Sequence, residues 1–76
     1  MYSEIGLIFY QLGEKEEAMK YLDMAVEKKN NLGEVYEWKG IICYEEEKYE
    51  LAKECFRKAL EYGNNKASIW YNLGYI

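Results

Sequence analysis

The 76-residue chain has no proline and no histidine, and only two cysteines. Its apolar runs, such as IGLIFY at 5–10, are far too short to span a bilayer. Each absence removes a class of function. There is no histidine, no nucleophile beside a base, no glycine-rich phosphate loop and no cluster of metal ligands. Catalysis therefore has little to work with, and neither a cofactor nor a metal is expected. Cys43 and Cys55 do not form a CxxC pair, and a small extracellular scaffold would carry more cysteines. They read as two small half-buried hydrophobes in a reducing compartment, with a disulfide or metal site as the alternative. Basic residues are also few: ten Lys and Arg against fourteen Asp and Glu, a net charge of −4. That balance disfavours nucleic acid and anionic membrane, which need a basic surface. No basic start followed by an apolar core marks a secretion signal, so a cytoplasmic protein is expected.

What the chain has instead is aromatic and amphipathic. Nine tyrosines and two tryptophans stand among 50% hydrophobic and 32% charged residues, the balance of a folded chain. Tyrosine at this level suits half-buried surfaces, since its ring is apolar and its hydroxyl can stay wet. A single domain of this size buries only about 60% of the surface its unfolded form exposes, so marginal stability is expected.

Gly6, Gly40 and Gly74 are separated by 34 residues each time. The same step relates Tyr2, Tyr36 and Trp70, and it pairs Ala18 with Ala52, Ala25 with Ala59, Tyr10 with Tyr44 and Leu22 with Phe56. Within each period the apolar residues fall at helix-face spacing, as Ile5, Ile8, Phe9 and Leu12 do. Gly13 and Gly63 sit where helices stop in a left-handed residue. Asn65 is placed to cap a last helix. Five helices are expected, at about 1–12, 15–29, 33–46, 49–62 and 66–76. Glycine inside a helix costs about 1 kcal/mol relative to alanine, so a repeated one needs a packing reason. Close helix approach supplies it, with Ala18, Ala25, Ala52 and Ala59 as the small partners. Tyr2, Leu22, Tyr36, Phe56 and Trp70 would fill the space beside them.

WYNLG at 70–74, together with the A-x3-F of Ala52 and Phe56, resembles the tetratricopeptide repeat, a 34-residue helix–turn–helix unit. The resemblance covers 1–76 as one domain: a first repeat at 1–32 lacking its start, a complete second at 33–66, and the first helix of a third at 67–76. It departs from the pattern at Lys39, which replaces a leucine, at Cys43, which replaces a tyrosine, and at Asn30 and Asn64, which replace the usual proline. The resemblance implies an all-α, right-handed solenoid of tandem antiparallel hairpins.

It also implies a concave groove, lined by the first helix of each repeat, that receives a peptide segment or partner helix. Carried over, the groove residues are Leu7, Tyr10 and Gln11, with Ser3 beside them. From the next repeat come Glu37, Trp38, Ile41, Tyr44 and Glu45, and from the third Tyr71, Asn72 and Tyr75. Glu37 and Glu45 would favour a basic group, so an apolar or basic protein segment is the expected partner. Where some relatives clamp a terminal carboxylate, this chain has Ser3, Leu7, Trp38, Ser68 and Asn72, none of them cationic. The acidic run at Glu45–Glu50 reads as a solvated turn. The alternative function is self-association into a homo-oligomer through open terminal helices, with Trp70, Leu73 and Ile76 in the contact. Stacked repeats bury their apolar faces only against neighbours, so an uncovered terminal face implies either further repeats or a second chain. Trp70, Leu73 and Gly74 would otherwise seal the preceding hairpin.

Overall fold

The computed structural model describes residues 2–63, together with Trp70, Tyr71 and Gly74. Four helices follow one another: α1 (Tyr2–Gln11), α2 (Lys15–Glu27), α3 (Leu32–Glu45) and α4 (Tyr49–Glu61). Each lies within two residues of its expected bounds. Trp70, Tyr71 and Gly74 are helical as well, whereas the rest of the expected fifth helix, with Asn65, lies outside the described residues. There is no strand among the described residues. α1 pairs with α2 and α3 with α4; α2 also packs on α3, and α1 touches α3.

The repeat register becomes packing in a specific way. Ala18, Leu22 and Ala25 on α2, and Ala52, Phe56 and Ala59 on α4, are fully buried at the same helical spacing. A Cβ on Gly6 would lie 2.9 Å from Leu22 side-chain carbons, and one on Gly40 would lie 2.8–2.9 Å from the Phe56 ring. Each glycine is thus a socket for the large residue sixteen positions later. The expected close approach is present, and Leu22 and Phe56 supply the side chains nearest the two glycines. Ala18 also approaches Gly6, its carbonyl oxygen 3.2 Å from that Cβ position. Leu22 joins Val35 and Ile42 in one core cluster, Phe56 joins Cys43 in a second, and Met19 packs against both.

The helices end by a shared device. The N–H of Glu14 bonds back to Phe9, that of Asn30 to Ala25 and that of Lys48 to Cys43, each closing a left-handed turn. Gly13 and Gly63 hold that conformation at φ +83° and +88°. One repeat away from them, Glu47 and Lys29 adopt it at φ 63° and 53° without glycine's freedom. Asn30 is not the left-handed residue at the proline position; Asn31 is, at φ 48°. Ser3 ties both to α1, donating to Asn30 Oδ1 at 3.2 Å and accepting from Asn31 Nδ2 at 3.3 Å. Side-chain hydrogen bonds thus hold the inter-repeat turn where proline is missing.

Lys39, the other departure, is half-buried and bonds Asp23 of α2 at 2.7 Å. Burial works against its charge, but the Asp23 hydrogen bond and charge outweigh it and raise its pKa. Its ammonium, like that of Lys58, stands over the Tyr36 ring, which stacks on Tyr62 with centroids 5.7 Å apart.

Candidate binding face

The face shared by α1 and α3 is built from residues spaced three and four apart, which share one side of a helix. Leu7, Tyr10 and Gln11 come from α1; Trp38, Ile41, Tyr44 and Glu45 come from α3. Tyr10 carries the contact between the helices. Its ring lies 5.3 Å from that of Trp38, tilted by 52°, and its hydroxyl donates to Glu45 Oε2 at 2.9 Å. Lys15 holds the other oxygen of Glu45 at 3.4 Å. Tyr44 is half-buried and meets Tyr49 edge-on at 5.6 Å, while Ile41 packs on the second core cluster. Gln11 is exposed.

The two carboxylates expected to attract a basic group are otherwise engaged. Glu37 is 5% exposed, so it lies beneath the surface rather than on it. Glu45 already holds Lys15 and Tyr10. Two other acids, which helix spacing alone does not single out, stand nearer to this face among the described residues. Glu4 and Glu34 rim a cleft of about 210 Å3 whose apolar walls are Leu7 and Trp38, with Ser3 and Asn31 completing it. A signal for them existed in the chain, since Glu34 precedes Trp38 by four residues and Glu4 precedes Leu7 by three, each pair on one helix side. Further along, Tyr71 is 64% exposed and Trp70, expected to seal the preceding hairpin, leaves 60% of its surface in solvent. Asn72, Leu73, Tyr75 and Ile76 lie outside the described residues.

Burial, the Glu45 hydrogen bond and the Glu45 charge together push the Tyr10 hydroxyl up to about 12. An unfolded tyrosine ionises near 10. The contact's stabilisation is therefore whole below pH 10, declines above it, and is lost as pH rises through 12. The phenolate absorbance titration of the chain, minus that of Tyr10→Phe, should show one group ionising at about 12. In Glu45→Gln the same difference should move toward 10 without reaching it, because burial is the largest cause.

Two family models match the chain, one described as tetratricopeptide repeat over residues 1–32 and one described as TPR repeat over residues 40–76. The chain belongs to the tetratricopeptide repeat family. It matches no curated protein and no solved structure. Tetratricopeptide repeats are in general protein–protein interaction modules and typically non-catalytic. In this one no helix among the described residues is long and apolar enough to cross a membrane. Within the tetratricopeptide frame, α1 and α3 are the first helices of successive hairpins, and α2 and α4 are their second helices.

Proposed function

We propose that this repeat domain takes a peptide segment or partner helix on the α1–α3 face, favouring segments that combine apolar and basic side chains. The observation that supports the reading most is the cleft beside Trp38, walled by Leu7 and rimmed by Glu4 and Glu34. An apolar body with a cationic head fits such a place. The stem covers Leu7, and the head meets the indole face and the carboxylates. Tyr44 and Tyr71 extend the surface with rigid amphipathic rings of the kind enriched at binding hot spots. The test uses peptides selected on the chain from a random library. Tyr44→Ala combined with Tyr71→Ala should weaken their binding at least about tenfold, roughly 1.4 kcal/mol or more, with helical content intact. Unchanged affinity in a folded variant removes the assignment.

A second reading, self-association, has one specific observation in its favour. Ile8 and Ile42 are one repeat apart (42 − 8 = 34). Ile42 is fully buried in a cluster with Ala18, Leu22 and Ala25 of α2, whereas Ile8 is 55% exposed, with Ile5 and Leu12 exposed beside it. A second copy presenting a helix like α2 would cover that stripe in an isologous contact. Sedimentation should then show concentration-dependent dimers that Ile8→Glu dissociates. A monomer at every concentration excludes it.

A further inference from the structure

We infer that Cys43 and Cys55 form a matched dithiol that closes to a disulfide between α3 and α4 when a small-molecule disulfide enters the cleft beside them. The repeat register carries the argument. Positions 43 and 55 are one 34-residue step beyond Phe9 and Tyr21. In the first hairpin Phe9 and Tyr21 face each other across the helix pair, their rings stacked at 5.3 Å and 5°. The second hairpin puts two thiols in the place of two rings. Both thiols line one cleft, and each shifts the ionisation of the other. The room left by the shorter side chains is a cleft of about 270 Å3, lined by both cysteines with Met19, Leu51, Lys39 and Lys48. Two adjacent thiols opening on one cleft are placed for exchange with a molecule that enters it, and Cys55, only partly buried, is the more accessible.

The exchange balances in two steps. The Cys55 thiolate attacks one sulfur of the small disulfide, whose S–S bond breaks, releasing one small thiolate that takes up a proton. Cys43, as thiolate, then attacks the Cys55 sulfur of the mixed disulfide and expels the second small thiol. Two electrons pass from the cysteines to the small disulfide, and the two thiol protons end on its two released halves. Burial pushes the Cys55 thiol up to about 11 and raises Cys43 as well, so exchange is slow at neutral pH and quickens as pH rises. The loop closed by the link holds the α3–α4 turn, where Tyr44 meets Tyr49.

The folded chain is incubated at mildly alkaline pH with a series of oxidised-to-reduced glutathione ratios and read by intact mass and peptide mapping. The expected product is lighter by about 2 Da, the two thiol hydrogens, with Cys43 joined to Cys55. Helical circular dichroism should be unchanged. The effective concentration of the two thiols should be at least about tenfold higher in the folded chain than in denaturant. Cys43→Ser and Cys55→Ser should stop at a single glutathione adduct. The inference is overturned if the folded wild-type chain accumulates glutathione adducts without closing. It is also overturned if the chain resists a ratio that closes the link in denaturant, or closes only as the helical signal is lost.

Discussion

Phe56→Ala is expected to remove about 3–5 kcal/mol of stability, the range for emptying a fully buried aromatic site. A chain this long has roughly 4–11 kcal/mol in total, so the variant should be largely unfolded in dilute urea and lose most of its helical signal. The size of the effect follows from where the ring lies. Phe56 is fully buried, belongs to the second core cluster and fills the socket opened by Gly40. Truncation leaves a cavity lined by Ala52 and Ala59 on its own helix, small residues that cannot collapse into it, and by the bare backbone of α3 at Gly40. Leu22→Ala should behave alike in the first hairpin, at about 2–5 kcal/mol. Urea unfolding followed by circular dichroism measures both. A loss under 1 kcal/mol at Phe56 would contradict the packing described.

Gly40→Val probes the same contact from the other side. A Cβ at position 40 would lie 2.8–2.9 Å from ring carbons of Phe56, and the ring has no solvent-exposed side toward which to move. Valine adds two further methyl groups there. Overpacking of this kind costs about 1–3 kcal/mol and occasionally more. Helix propensity returns only a few tenths, since valine is a poorer helix former than alanine. A net loss of about 2–3 kcal/mol is expected. In a Phe56→Leu background the ring edge is gone, so the penalty for Gly40→Val should shrink by about 1 kcal/mol or more in a double-mutant cycle. Equal penalties in the two backgrounds would show that the glycine is required for some other reason.

These contacts show what could be read from the chain and what could not. The 34-residue step identified Gly6, Gly40, Leu22 and Phe56 as structural, because a repeat imposes one chemistry on equivalent positions. It could not say that the side chains nearest the two glycines are Leu22 and Phe56. A register states which positions recur, not which side chain lies on which backbone. Gly13 and Gly63 were legible as left-handed helix stops. Glu47 and Lys29 carry no local sign of that conformation, although each lies one step from one of those glycines. Lys39 made sense only once α2 brought Asp23 to within 2.7 Å of it.

The geometry of the proposed binding face was legible to a similar degree. Tyr10, Trp38, Tyr44 and Glu45 follow from helix spacing and the family resemblance. Glu37 reads as a surface acid yet is buried, because α3 packs against α1, α2 and α4 at once. Its buried positions, Val35, Glu37, Gly40, Ile42 and Cys43, therefore do not form one stripe from which the open side can be deduced. The cleft of Leu7, Trp38, Glu4 and Glu34 draws on two helices and a turn, and no single stretch of sequence announces it.

The claim that α1 and α3 form the binding face is tested most directly by amide hydrogen exchange on the folded chain, alone and saturated with a library-selected peptide. Slowing should concentrate at residues 7–11 of α1 and 38–45 of α3, around Leu7, Tyr10, Trp38 and Tyr44, with the outer sides of α2 and α4 unchanged. Slowing confined to α2 and α4, with α1 and α3 unaffected, would contradict it.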